Sequence, residues 1–232
     1  MSLLDICQDA AEEVGFDAPA TIIGNNDPTA VRILRLAHRT GAILAKKPWE
    51  LLIKEYTFST SAGEPQYDLP DDYRSLVPGT IFNQTTDQPV YKISPRQWSY
   101  EKSGNTGAYE DRFRLLGDDE GPHIGKRITI HPTPTAVETI YYQYYSKNWL
   151  TSAGAEASAF ASDNDEVIFD EDMFTMGVIW RLLKTLGQPY LEEKTEFDRE
   201  LEICLAQDGA TERLHADGNF PALSNIPETG FG

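Results

Sequence analysis

Apolar residues spaced by three and four open the chain. Leu3, Ile6, Cys7, Ala10 and Val14 share one helical face, which predicts a helix over Ser2 to Val14. Ser2 is placed to cap it, Asp5 stands at the third helical position, and Gly15 closes it. A loop with Pro19 and Asn25-Asn26 leads to Asp27-Pro28, a capping carboxylate followed by a residue whose missing N–H would be unpaired in a first turn anyway. The second helix places Ala30, Ile33, Leu34, Ala37, Gly41, Leu44 and Ala45 on its apolar stripe, leaves Arg32, Arg35 and Arg39 off it, and ends at Pro48.

From Trp49 the period changes to two. Trp49 to Thr60 reads as a strand, and Ser61-Ala62-Gly63-Glu64-Pro65 as a turn. Further strands are predicted at 76–83, 89–93, 111–116, 126–131 and 138–146, with a short helix starting at Ser94-Pro95. The segments 102–109 and 117–125 read as exposed loops. Tyr141, Tyr142, Tyr144 and Tyr145 suit a strand packed on both faces. Segment 151–162 is poor in large apolar groups and reads as a linker.

The helical period then returns. A helix over 171–186, capped by Asp170 and stopped by Gly187, has Met173, Met176, Gly177, Trp180, Leu183 and Leu186 on its predicted buried face. Pro189 opens a last helix with Tyr190, Phe197, Leu201, Cys204 and Leu205 on one stripe. Beyond 209 periodicity is lost, and Gly and Pro punctuation predicts an extended tail.

With 232 residues, 40% apolar and 25% charged, the composition is that of a folded chain with a sizeable core. No apolar run approaches the roughly 20 residues that span a bilayer. Met1 to Asp5 shows no secretory pattern, so folding in a cytoplasm is expected. Cys7 and Cys204 fall on the apolar sides of predicted helices and read as reduced core thiols. The net charge of −17 opposes non-specific DNA binding and attraction to anionic membranes. Two readings of it stay open: solubility alone, or a surface that must not stick to nucleic acid passing close by.

Candidate chemistry is sparse. Gly104, Gly107, Gly117 and Gly121 lie in no phosphate-binding pattern. His38, His123, His131 and His215 sit in no nucleophile signature, so no catalytic residue is nominated. The acidic run Asp163, Asp165, Glu166, Asp170, Glu171, Asp172 fails as a calcium loop, because Val167, Ile168 and Phe174 stand where a ligand, a glycine and a glutamate are needed. Capping and the helix dipole account for Asp170, Glu171 and Asp172 without a metal. No cofactor or metal is expected. Trp98, Tyr100, Tyr109 and Trp149 offer either a sugar-binding platform or core or subunit-interface anchors.

Several motifs, in order and spacing over about 2–205, carry a resemblance: Pro48-Trp49, Tyr67-Asp68-Leu69-Pro70-Asp71-Asp72-Tyr73, Arg127-Ile128-Thr129-Ile130-His131-Pro132, Tyr144-Tyr145-Ser146-Lys147-Asn148-Trp149, Asp163 and Asp165 ahead of Trp180-Arg181, and Gly187-Gln188-Pro189-Tyr190. Together they resemble the head-to-tail adaptors of tailed bacteriophages, the connector or gatekeeper family of the tail-tubular type. The resemblance implies an α+β fold: a four-helix bundle from 1–48 and 163–208, an inserted antiparallel β-rich domain over 49–150, and an extended C-terminal tail over 209–232. Leu34, Trp49, Trp180, Leu183, Phe197 and Leu201 would pack the bundle. Gly209, Leu214, Phe220, Pro221, Leu223, Ile226 and Phe231 would contact the portal or a neighbouring subunit. The implied role is structural and non-enzymatic. A virion ring, commonly of twelve subunits, would sit between the portal protein and a tail nozzle or tail tube, with double-stranded DNA passing through unbound and no membrane involved. The alternatives are a carbohydrate- or receptor-binding tail module and a cell-wall hydrolase.

Overall fold

A computed structural model describes residues 1–103, 111–117 and 126–209. The chain opens with helices α1 (Leu3–Glu13) and α2 (Pro28–Leu44). Strands β1 (Ile53–Ser59), β2 (Gln66–Asp68), β3 (Tyr73–Leu76), β4 (Phe82–Asn83), β5 (Gln88–Pro89) and β6 (Tyr91–Lys92) follow, then the short helix α3 (Pro95–Lys102). Next come β7 (Arg112–Gly117), β8 (Lys126–His131), β9 (Thr139–Ser146), β10 (Leu150–Ser152), β11 (Ala155–Ala157) and β12 (Glu166–Val167). Helices α4 (Glu171–Leu186) and α5 (Leu191–Gln207) close the described chain. The fold is mixed α+β, with five described helices and several sheets that are antiparallel apart from one pair.

Two apolar cores divide it. The first gathers Leu3, Ile6 and Cys7 of α1, Ile33, Ala37 and Leu44 of α2, Met173, Phe174, Val178 and Leu182 of α4, and Phe197 and Leu201 of α5. Helix α4 is central to this layer, packing against α1, α2 and α5. Its buried face is Met173, Phe174, Gly177, Val178, Arg181 and Leu182, one position round from the expected stripe. Leu182 is fully buried and Leu183 only half-buried, which corrects Leu183 as a core residue. Leu34 and Trp180 are half-buried and pack against the same core, while Trp49 is buried within it. Helix α5 begins at Leu191, two residues after the proline expected to open it.

The second core is the β region: Ile81, Val90, Phe113, Ile128, Ile130, Ile140, Tyr142 and Tyr144. Strand β9 organises it. One edge pairs with β1 along its length, and the other carries β3 and then β4. A second sheet runs β2-β8-β7-β6, its β6–β7 pair parallel, against the all-antiparallel expectation. Strand β9 strictly alternates: Ile140, Tyr142, Tyr144 and Ser146 are buried, and the residues between them are half-exposed. One face, not two, is packed into the core.

Other expectations are corrected as well. Trp49 to Leu52 is not strand: Glu50–Leu52 is a single 3-10 turn, and the strand starts at Ile53. The region 76–83 is two short strands separated by a turn, not one. Segment 151–162 is no linker. Strands β10 and β11 form a hairpin around Ala153-Gly154, both with positive φ, and Phe160 is buried in the helical core. The predicted loops at 102–109 and 117–125 fall almost wholly outside the described residues.

Candidate assembly surfaces

The acidic run is a fastening device. Asp163 accepts hydrogen bonds from the backbone N–H of Ile22 (3.1 Å) and Ile23 (2.7 Å), pinning the loop between α1 and α2. The Asp165 and Asp163 carbonyls accept from Leu3 (2.7 Å) and Leu4 (3.0 Å), the first two N–H groups of α1. Those donors would otherwise be unsatisfied. The next two are held by Ser2, whose capping box with Asp5 is complete. Asp165 is buried. Burial would raise its carboxyl, but hydrogen bonds from Ala161, Ser152 and Ser162 hold it below its ordinary value. Asp170 caps α4 through the N–H of Met173. Among the described residues no cluster of His, Cys, Asp and Glu is arranged to hold a metal.

Two crossings connect the helical layer to the β region. On the way in, Trp49 is buried and its indole N–H donates to the Leu44 carbonyl (2.9 Å). On the way out, Trp149 packs against the rings of Phe160 and Phe174, over Gly41 of α2. Between the crossings Asp72 accepts from Lys54, Tyr144 and Ser146, and Lys54 also pairs with Glu156 of the hairpin. Arg74 reaches back to the Lys47 carbonyl, its guanidinium over the Tyr145 ring. Asp208, at the end of α5, accepts from the N–H of Glu50 (2.5 Å) and Leu51 (3.3 Å). The described chain therefore ends, at Gly209, beside this junction. Leu214, Phe220, Pro221, Leu223, Ile226 and Phe231 lie outside the described residues.

The outer faces are strongly polarised. Helix α1 exposes Asp5, Asp9, Glu12 and Glu13 and has no basic residue. Helix α5 exposes Glu192, Glu196, Asp198 and Glu202, with Arg199 among them. Helix α2 has no acidic residue and exposes Arg32, Arg35 and Arg39. Beside Arg39 lies Arg181 of α4. It is buried, donates to the Gly177 carbonyl (2.5 Å), and stacks over Trp180 and Phe197. Burial, with Arg39 adding to it, pushes Arg181 down to about 10. Leu191, Val137 and Tyr100 are the most exposed large apolar side chains described.

The aromatic platform does not assemble. Trp149 is in the helical core, whereas Trp98 is buried on α3 against His131; Tyr109 is outside the described residues. His38 packs on Phe160 and His131 on Trp98, and burial lowers both imidazoles. His123 and His215 are outside the described residues. Cys7 and Cys204 are free thiols on different helices, pushed up by burial to about 12 and about 11. Among the described residues no helix is long and apolar enough to cross a membrane. Sequence reasoning missed the clamps made by Asp163 and Asp208. The only signal for either was a carboxylate outside any apolar stripe, and partners more than a hundred residues away leave no local trace.

Comparison with curated proteins gives no match. The family model of the SU10 adaptor protein matches residues 1–217, from the capping box of α1 through α5 and past Gly209. That span takes in both cores and both crossings. The chain belongs to the SU10 adaptor protein family, a family of phage head-to-tail adaptors.

Proposed function

We propose that this adaptor forms a ring beneath the portal protein, extends the DNA channel, and offers the tail nozzle or tail tube its docking platform. Family membership across 1–217 carries the reading. The surface charge supports it. Exposed carboxylates on α5, in a chain of net charge −17, let DNA pass without adhering. The tail from 209 to 232 leaves at the junction of the two cores and orders on the portal or a neighbouring adaptor. The protein works as a structural component of the virion.

Negative-stain electron microscopy of the protein mixed with its cognate portal, beside each alone, tests the reading. A new ring layer stacked on the portal is the expected result. A portal left bare by folded adaptor refutes it.

A further inference from the structure

Helix α2 carries an arginine stripe with no ion-pair partner among the described residues. Arg32, Arg35 and Arg39 follow each other at steps of three and four, opposite the face buried by Ile33, Ala37 and Leu44. Ion pairs among the described residues involve other groups, so none of the three has a described carboxylate within 4.0 Å. The stripe also ends beside buried Arg181, a like charge that a facing carboxylate would relieve. In a chain with 20 basic and 37 acidic residues, three unpaired arginines on one face are conspicuous.

The same chain presents a complementary stripe. On α1, Asp5, Asp9 and Glu12 are exposed at steps of four and three, opposite the buried Leu3, Ile6 and Ala10. Read in reverse, the α1 spacing becomes three and four, which is the α2 spacing. Both stripes span seven helical steps, about 10 Å of helix. We propose that these stripes are the two halves of the ring contact: α2 of one subunit lies antiparallel against α1 of the next, pairing Arg32 with Glu12, Arg35 with Asp9 and Arg39 with Asp5. The contact is head-to-tail, so each subunit uses one stripe on each side and the chain closes into a ring. This inference rests on the ring reading above. A second copy is favoured over nucleic acid because the acidic helices of the same chain repel phosphates, whereas they supply the required partner for arginine.

Charge reversal with complementation tests it. One variant carries Arg32→Glu and Arg35→Glu, the other Asp9→Arg and Glu12→Arg. Asp5 stays native because it closes the capping box, and Arg39 because it neighbours Arg181. Native mass spectrometry counts the subunits held on the cognate portal. Each variant alone should lose association by about tenfold or more, since its interface sets like charge against like. An equimolar mixture should restore the layer with the two variants alternating, which an even-numbered ring permits. A misfolded variant could not be rescued in this way. Wild-type-like assembly by either variant alone, or a mixture that stays unassembled, overturns the proposal and leaves the ring reading intact. So does loss of binding to a DNA duplex in the α2 variant with its ring unaffected. A wild type that forms no layer overturns the ring reading itself, and this inference with it.

Discussion

Replacing Gly41 by alanine puts a methyl group where the Trp149 indole already lies. A Cβ built on Gly41 falls 2.2 Å from both Cη2 and Cζ3 of Trp149 and 2.5 Å from Cε3. Carbon atoms in contact prefer about 3.5–4.0 Å, so the overlap exceeds about 1 Å at three atoms. The indole has nowhere to go. It is 2% exposed, with the rings of Phe160 and Phe174 centred 5.1 and 5.9 Å away. Overpacking of this kind costs about 1–3 kcal/mol or more. Against that, alanine is about 1 kcal/mol better than glycine inside a helix. With the overlap at three atoms, we expect overpacking at the top of its range and a net loss of about 2 kcal/mol, measured as a shift in the urea midpoint at constant slope. Gly117→Ala is the control, since its added Cβ meets nothing within 4 Å. Pairing Gly41→Ala with Trp149→Ala should cost less than the sum of the two, because the clash disappears with the ring. A Gly41→Ala protein as stable as wild type, or strict additivity in the double variant, would refute the packing argument.

Three further outcomes are expected. Leu182→Ala should cost about 2–5 kcal/mol in chemical denaturation, and Leu183→Ala less than half as much; equal losses would restore the stripe read from the sequence. Asp163→Ala should cost about 1–3 kcal/mol by leaving the Ile22 and Ile23 N–H groups unpaired, with faster amide exchange at those two residues as the local signature. The third concerns pH. Burial would raise the Asp72 carboxyl, but Lys54, Tyr144 and Ser146 together hold it below its ordinary value. Its stabilisation is therefore present above the ordinary carboxylate range and is lost as pH falls through the depressed folded value. Asp72→Asn should flatten that part of the acid limb of stability against pH, and an unchanged limb would exclude the carboxyl as its source.

Where the chain obeys local rules, the sequence was legible. Ser2 with Asp5, Asp27 before Pro28, Asp170, and Gly187 in the left-handed conformation mark helix ends in the structure as they do in the sequence. The misreadings have tertiary causes. In α4 the predicted face runs through Trp180 and Leu183 and passes over Arg181 and Leu182, which are buried. In the fold the Arg181 guanidinium lies over the Trp180 and Phe197 rings and donates to the Gly177 carbonyl. Trp49 looked like the first residue of a strand because the period changes there, yet its indole turns back into the helical core. Segment 151–162 is poor in large apolar side chains, Phe160 apart. The hairpin that it forms is set by Gly154 and Ala153 and by pairing of β10 with β12, none of which a periodicity measure detects. The arginine stripe of α2 was visible as residues off the apolar face; its isolation from carboxylates was not, because that depends on where α1 and α5 lie.

The two tryptophans explain how a β region inserted into a helical layer can be held firmly. An insertion enters and leaves through two chain crossings, and each crossing is a hinge unless something fixes it. Here each crossing carries a tryptophan that is 2% exposed and belongs to the helical core although it adjoins the β region. Trp49 is locked by its bond to the Leu44 carbonyl at the end of α2, and Trp149 by its seat on Gly41 of the same helix. Both anchors therefore converge on the last turn of α2. Arg74 reaches the Lys47 carbonyl just beyond that turn. Asp208 ties the end of α5 to Glu50 and Leu51, three residues further on. The arginine stripe runs along the opposite face of α2. One helix thus ties the inserted region to the helical layer on one side and offers the proposed subunit contact on the other. A displacement of the β region by a docked partner would reach the neighbouring subunit through a single rigid element.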